Sequence, residues 1–144
     1  MERTVGRLLE EKGHEVWTIG PDAMVFEALE VMADKGVGAL VVVEDDDRPR
    51  GIISERDYAR KVILLDRGSR KTPVSEIMTS KLLTVTRAQN TAECMALMTD
   101  HRIRHLPVVE EDHLVGIVSI GDVVRAVIDE QRFLIDQLEQ YITS

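Results

Sequence analysis

The chain has 144 residues, 44% of them hydrophobic and 31% charged, which is the balance of one compact globular unit or of two small halves that share a core. Aromatic residues make up only 3%, so the core must be aliphatic, and a formal net charge of -8 argues against DNA or RNA as a partner. No apolar run approaches the roughly 20 residues that span a membrane, and charged residues near the N-terminus argue against a signal peptide. With its single cysteine, Cys94, the protein is expected in the cytoplasm.

The chain contains an internal repeat that covers most of its length. The segment Leu40–Glu44 recurs as Leu106–Glu110, and the segment Gly51–Ser54 recurs as Gly116–Ser119 after the loss of one residue in the intervening charged turn. Such self-similarity indicates two copies of one supersecondary unit, each too small to be comfortably stable alone. We therefore expect the two copies to pack against each other.

The segments that lead into the two copies also correspond, because Val5–Leu9 resembles Val74–Met78. We divide the chain into residues 1–66, the first repeat with an N-terminal lead-in helix, and residues 67–144. The latter hold a linker, the second repeat and a C-terminal amphipathic helix.

The first repeat is predicted to begin with a short strand near Val16–Ile19. Asp22 is the predicted N-cap of a helix whose apolar positions follow helical spacing from Val25 towards Gly36, a C-terminal glycine. The following run, Ala39–Val43, is too short for a helix and too continuously apolar for a half-exposed strand. It is predicted to be a buried strand.

An Asp- and Pro-rich turn separates this strand from a second one at Gly51–Ser54, and a second helix is predicted over Glu55–Leu65. The order β-α-β-β-α occurs twice, which places the chain in the α/β (α+β) class. We expect the two repeats to pack with pseudo-two-fold symmetry and to form small-molecule clefts where they meet.

A Gly-x-x-Ser-x-x-Asp motif marks the strand-to-helix turn of both repeats, with Ser54 and Asp57 in the first and Ser119 and Asp122 in the second. A serine at a helix N-terminus can bind a phosphate or sugar oxygen, and an ionised carboxylate suits the two neighbouring hydroxyls of a ribose. The alternative is a capping box, in which the serine caps the helix and the acid bonds back to it. For one copy taken alone, capping is the simpler interpretation.

Arg104 and His105 begin the buried strand of the second repeat, where a guanidinium and an imidazole could bind phosphate oxygens. The first repeat has Gly38 and Ala39 at the same positions, which leave space but carry no charge. This difference predicts one phosphate-binding cleft and one less polar cleft. The alternative is that Arg104 and His105 only form surface salt bridges.

The repeated β-α-β-β-α pattern, both Gly-x-x-Ser-x-x-Asp motifs, Ile103–Val108 and Gly116–Arg125 together resemble a tandem CBS-domain (cystathionine beta-synthase type) protein of the small stand-alone kind. The resemblance covers nearly the whole chain and implies an adenosine-ligand site in each cleft between the repeats, where the aspartate holds the ribose. The residues implied for the first cleft are Ser54, Arg56, Asp57, Thr84, Ile103, Arg104, His105 and Pro107. Those implied for the second are Thr18, Val37, Gly38, Ala39, Ser119 and Asp122.

The resemblance implies a regulatory sensor in which an adenine nucleotide changes the packing of the repeats or of a homodimer. AMP is the expected ligand, with ATP and an NAD-type dinucleotide as alternatives. We expect no enzymatic activity, catalytic cofactor or metal site, since the nucleophile, metal and phosphate-loop motifs of enzymes are missing from the sequence. The alternative is a protein-interaction or dimerisation module without nucleotide sensing, because the amphipathic stretch Val123–Ile142 could dock on a second subunit or on another protein target.

Overall fold

The chain forms two compact units in the computed structural model, which describes residues 3–143. The repeat-1 unit comprises Glu15–Leu82 together with Glu111–Leu114. The repeat-2 unit comprises the chain up to His14, Leu83–Glu110 and the chain from Val115 onward. The N-terminal lead-in therefore packs with the second repeat, and residues 67–82 pack with the first, which differs from the division at residue 66 expected from the sequence.

Both repeats contain helices and strands, in the mixed class that the sequence predicts. The helices are α1 (Val5–Lys12), α2 (Val25–Lys35), α3 (Glu55–Tyr58), α4 (Val74–Ile77), α5 (Thr91–His101) and α6 (Ile120–Thr143). The strands are β1 (Thr18–Ile19), β2 (Ala39–Val43), β3 (Pro49–Ser54), β4 (His105–Glu110) and β5 (His113–Ser119). Within residues 3–143, none of the helices has both the length and the apolar surface that crossing a membrane requires.

A three-stranded sheet in the order β1-β2-β3 forms the base of the repeat-1 unit. β1 runs parallel to β2, whereas β3 runs antiparallel to it, with Ala39 opposite Ser54. The predicted buried strand is confirmed at Ala39–Val43, and its continuous apolar sequence matches the burial of its first four residues. The aliphatic core of this unit consists of Val25, Ala28, Met32, Leu40, Val42, Ile53, Val62, Val74 and Ile77.

Helix α2 begins at Val25, and the prediction that Asp22 caps it is wrong. The N-cap position belongs to Met24, whose backbone forms an antiparallel bridge with Pro73. The Val25 N–H donates to the Thr72 carbonyl at 2.8 Å. Backbone from the segment that follows the repeat therefore satisfies the first helical N–H, and no side-chain cap is needed there.

The predicted end of α2 is confirmed, whereas the predicted second helix of the repeat is only partly α-helical. Gly36 ends α2 in the left-handed conformation with φ of 66°, as its position predicts. The helix predicted over Glu55–Leu65 begins as expected, but only α3 is α-helical, and Ala59–Ile63 continue as a π-helix. Apolar spacing in the sequence does not distinguish this wider turn from an α-helical one.

The repeat-2 unit is built on a two-stranded sheet of β4 and β5. The strand expected before the first helix of this repeat is reduced to a single parallel bridge between Val85 and Val108. Helix α5 begins with a capping box formed by Asn90 and Glu93. The core of this unit consists of Val5, Leu8, Leu9, Val85, Cys94, Met98, Leu106, Val108, Val118, Val123 and Ala126.

The two lead-in segments pack on exchanged repeats. Thr4, the N-cap of α1, forms a bridge with Asn90, the N-cap of α5. Pro73, the N-cap of α4, forms the equivalent bridge with Met24, the N-cap of α2. The two segments are thus structurally equivalent, but α1 has 8 residues and α4 only 4.

Candidate functional site

The Ser-x-x-Asp turn of the repeat-1 unit is a complete capping box. The Asp57 N–H donates to Ser54 Oγ at 3.2 Å, while Asp57 Oδ2 accepts from the Ser54 N–H at 2.9 Å and from the Ser54 hydroxyl at 3.1 Å. The capping interpretation is therefore confirmed for this copy. Because a carboxylate offers about four acceptor positions, capping leaves Asp57 free to accept from a ligand as well.

The turn of the repeat-2 unit has the same reciprocal pair and two added cations. The Ser119 N–H donates to Asp122 Oδ2 at 2.8 Å, and the Asp122 N–H donates to Ser119 Oγ at 3.2 Å. Lys12 Nζ lies 2.6 Å from Oδ2, and the Arg125 guanidinium donates to Oδ1 at 2.8 Å. Both oxygens of this 9%-exposed carboxylate are therefore engaged in ion pairs within the unit.

In both units the turn lies against the start of the buried strand. The Glu55 N–H donates to the Gly38 carbonyl at 3.1 Å, and the Ile120 N–H donates to the Arg104 carbonyl at 2.8 Å. The residues just before β2 and β4 are thereby held beside the two aspartate-bearing turns. This residue is the uncharged Gly38 in the first repeat and Arg104 in the second.

A lysine ammonium joins each aspartate to a nearby backbone carbonyl. In the repeat-1 unit, Lys61 Nζ lies 3.2 Å from Asp57 Oδ1 and donates to the Ile77 carbonyl at 2.9 Å. In the repeat-2 unit, Lys12 Nζ donates to the Ile117 carbonyl at 2.9 Å. The sequence motifs point to neither lysine. Helical i,i+4 spacing could have placed Lys61, but no local pattern places Lys12 beside the second turn.

Charge and burial at the repeat-2 turn affect both of its titratable groups. Burial would raise the pKa of Asp122, but the hydrogen bonds from Lys12 and Ser119 and the Lys12 charge outweigh it and lower this pKa below its usual value. Burial lowers the pKa of His105, the charge of Asp122 opposes the shift, and the charges of Lys12 and Arg104 add to it. The cluster therefore favours an ionised carboxylate and a neutral imidazole.

The residues expected to bind the ligand are divided between the units. The repeat-1 unit holds Thr18, Val37, Gly38, Ala39, Ser54, Arg56 and Asp57. The repeat-2 unit holds Thr84, Ile103, Arg104, His105, Pro107, Ser119 and Asp122. Arg104 and His105 thus lie in the same unit as Asp122. That they bind a ligand together with Asp57 rests on the family resemblance and stays a prediction.

Two further kinds of chemistry are a reactive thiol at Cys94 and metal binding by His, Cys, Asp or Glu side chains. Burial raises the pKa of the Cys94 thiol to about 11, and the neighbouring Glu93 charge adds to the effect, so the thiolate is scarce at neutral pH. Among the residues that the structure describes, no three His, Cys, Asp or Glu side chains are placed to hold a metal ion together.

Two copies of one unit of helices and strands, each with a fixed carboxylate at the turn between strand and helix, define a paired-repeat module. The CBS domain model matches residues 12–64 and 74–129, and the chain belongs to the CBS-domain family. Paired CBS domains are regulatory ligand-binding modules. The family resemblance predicted from the sequence is thereby confirmed.

Relatives and solved structures match most of the chain. It is 43% identical over 148 residues to the mitochondrial CBS domain-containing protein CBSX3 of Arabidopsis thaliana, covering 96% of this chain and 71% of that protein. A CBS-domain protein of Burkholderia ambifaria has 50% identity and a TM-score of 0.85, covering 89% of this chain and 96% of that one. The CBS domain pair of protein MJ0100, solved with 5′-methylthioadenosine and S-adenosyl-L-methionine, shares the fold at 23% identity, with a TM-score of 0.80 over 90% of this chain and 99% of that one.

Proposed function

We propose that this protein is a regulatory adenine-nucleotide-binding module without catalytic activity, in which Asp57 and Asp122 each bind the ribose of one nucleotide. AMP is the proposed ligand, and ATP and an NAD-type dinucleotide are the nearest alternatives. The observation that carries the proposal is a repeated one. In both units the aspartate accepts from its serine N–H, at 2.9 Å and 2.8 Å, and lies beside the start of a buried strand.

The chemistry of this turn suits a sugar with two adjacent hydroxyls. The carboxylate is already fixed by backbone N–H donors, so binding a ribose would cost it little side-chain entropy. Arg104, exposed at the start of β4, offers a bidentate donor for a phosphate. The complex of the MJ0100 domain pair with two adenosine-containing ligands supports the proposal to the extent that the same fold accommodates such ligands.

Regulation follows if the ligand prefers one arrangement of the protein over another. A bound nucleotide shifts a conformational or subunit equilibrium only by the difference in its affinity for the two states. We include in the proposal a cytoplasmic location and a homodimer whose packing responds to the ligand. A partner protein would then recognise the altered packing.

The second candidate function, a protein-interaction or dimerisation module without nucleotide sensing, is favoured by the end of α6. Large apolar side chains there are 51% to 83% exposed, namely Phe133, Leu134, Ile135, Leu138, Tyr141 and Ile142. An exposed apolar helix face of this kind typically docks on another protein surface. We assign the face to a second copy of this chain, because a two-fold homodimer is the commonest assembly of a soluble protein.

Calorimetric titration with AMP tests nucleotide binding. Asp57→Asn and Asp122→Asn each keep one acceptor oxygen for the capping box but remove the charge. Each should weaken one class of site by roughly tenfold or more, because hydrogen bonds to charged groups contribute about 1.5–3 kcal/mol. Asp34→Asn, which removes a carboxylate charge from an exposed position on α2, is the matched control and should bind as the wild type does.

Two results of this titration would count against nucleotide sensing. If AMP, ATP and NAD all fail to bind the wild-type protein, the sensor proposal falls and the interaction module becomes the better account. If AMP binds but neither aspartate substitution weakens it more than Asp34→Asn does, the ribose role of the two turns is wrong.

A further inference from the structure

The Lys12–Asp122 ion pair distinguishes the second turn from the first. Lys12 Nζ lies 2.6 Å from Asp122 Oδ2, and Arg125 donates to Oδ1 at 2.8 Å. At the first turn, Asp57 has a single lysine, Lys61, at the longer distance of 3.2 Å. Among residues 3–143, the equivalent carboxylate is therefore paired with two cations in the second repeat and with one in the first.

The fold of the repeat-2 unit holds Lys12 in this position. Helix α1 is one turn longer than the equivalent α4, and Lys12 is the last residue of this additional turn. Leu9, three residues before Lys12, is fully buried and packs so closely on β5 that a Cβ atom at Gly116 would lie 2.8 Å from Leu9 Cδ2. The Ile117 carbonyl of the same strand accepts from the ammonium at 2.9 Å. The ion pair is thus anchored at both ends by packed secondary structure.

The two cations on Asp122 differ in how easily a ligand could replace them. The Arg125 side chain is 72% exposed and can rotate into solvent at little cost. The Lys12 side chain is only 31% exposed, and its partner is 9% exposed, so this pair is screened much less by water. Lys12 is therefore the stronger competitor for the carboxylate.

We propose that Lys12 is a built-in competitor for the second nucleotide site, so that a ribose hydroxyl binds Asp122 Oδ2 only by displacing the Lys12 ammonium. This inference rests on the proposed function and names the residue that sets the affinity of its second site. The site at Asp57 then fills at lower nucleotide concentration than the site at Asp122. One chain thereby responds at two concentrations of the same ligand.

The test measures AMP affinity at the second site alone. In an Asp57→Asn background, Lys12→Met removes the ammonium and keeps the apolar stem of the side chain. AMP should then bind about tenfold more tightly, because the hydroxyl no longer replaces a charge-assisted hydrogen bond. Lys12→Gln, which keeps a donor for the Ile117 carbonyl, should give the same direction and replaces Lys12→Met if that variant does not fold.

Arg7→Met in the same background is the matched control. It removes one positive charge from the same helix, but Arg7 is 68% exposed and pairs with Glu11 instead of Asp122. AMP affinity at the second site should not rise in this variant. If it rises as much as in Lys12→Met, the effect comes from net charge and the competitor role is wrong.

The remaining outcomes separate this inference from the proposed function. If AMP binds at the Asp57 site of the wild type but Lys12→Met leaves second-site affinity unchanged, the competitor role alone is overturned. If Lys12→Met weakens binding, Lys12 contacts the ligand, and the competitor role is again overturned. If AMP binds no variant and not the wild type, the proposed function falls and the competitor role falls with it.

Discussion

The two repeats share one backbone plan but surround their aspartate-bearing turns with different charges. In the first repeat, the uncharged residues Gly38 and Ala39 lie at the entry to the strand beside the turn. In the second, Arg104 and His105 lie at this entry, and Lys12 of α1 pairs with the aspartate. Repetition of a fold thus preserves hydrogen-bond geometry at the turn while the electrostatics of the two copies differ.

The exchanged lead-in helices account for part of this difference. α4 is short, and just after it Ile52 and Thr79 exchange backbone hydrogen bonds of 3.0 and 2.9 Å, while Met78 Sδ would lie 2.7 Å from a Cβ at Gly51. α1 is longer and places the side chain of Leu9 against Gly116. The additional turn carries Lys12 as far as the second carboxylate. Elongation of one lead-in therefore changes the chemistry of one turn only.

Leu9→Ala gives the largest effect among the variants that test this comparison. Leu9 is fully buried in the core of the repeat-2 unit, and truncation should lower the free energy of unfolding by about 3 kcal/mol. Denaturant unfolding measures the loss. Hydrogen exchange locates it, because the amides of β4 and β5 should lose protection before those of β2 and β3.

Ile77→Ala is the counterpart on α4, since Ile77 is 1% exposed and belongs to the core of the repeat-1 unit. Its losses of amide protection should appear first in β2 and β3. If Leu9→Ala instead exposes the first repeat and Ile77→Ala the second, each lead-in packs on the repeat that follows it in the chain. The assignment of α1 to the second repeat and of α4 to the first would then be wrong.

Sequence patterns predicted the elements whose causes are local. β2 was predicted residue for residue, because a short, continuous apolar run that ends in three β-branched valines is typical of a buried strand. Gly36 was predicted as a helix end for the same kind of reason, since only a residue without Cβ adopts its conformation cheaply. Asp22 was wrongly predicted as a cap because the donor it would satisfy is taken by the Thr72 carbonyl, a contact that no local pattern encodes.

In the candidate site, too, the contacts between residues close in sequence were predictable and those between distant residues were not. The reciprocal bonds of Ser119 and Asp122 span 3 residues, and the motif alone predicts them. The bond from Lys12 to Asp122 spans 110 residues and depends on which repeat receives α1. The resemblance between the lead-in segments predicted their equivalence, but the exchange between repeats is a property of the tertiary fold.

Gly51→Ala and Gly116→Ala give the next largest effects and compare the two lead-in contacts directly. A Cβ at Gly51 would lie 2.7 Å from Met78 Sδ and 2.9 Å from the Thr79 carbonyl oxygen, and this backbone oxygen cannot move without breaking the bridge to β3. A Cβ at Gly116 would meet the end of the Leu9 side chain at 2.8 Å, which has more freedom to shift. We expect losses of about 2 kcal/mol and about 1 kcal/mol, respectively.

Denaturant midpoints of the two glycine variants check this order. Gly20→Ala is the control, because a Cβ at Gly20 would meet no atom within 4 Å. Equal losses at Gly51 and Gly116 would mean that both lead-ins contact their repeats with the same stiffness. A larger loss at Gly116 would reverse the comparison.

The smallest effect is a pH dependence of stability that arises at the second turn. Because burial lowers the pKa of His105 below 6.5 in the folded protein, the unfolded chain binds a proton more readily between 6.5 and the folded value. The contribution of His105 to stability is therefore complete above pH 6.5 and is lost as the pH falls towards the folded pKa. His105→Gln should flatten the stability curve in this window, whereas His101→Gln, at an exposed position on α5, should leave its slope unchanged.

The lowered pKa of Asp122 acts separately, since the stabilisation from its carboxylate is present above pH 3.8 and is lost only as the pH falls through the folded pKa. A slope just below pH 6.5 that is as steep in His105→Gln as in His101→Gln would show that the His105 imidazole does not cause this pH dependence.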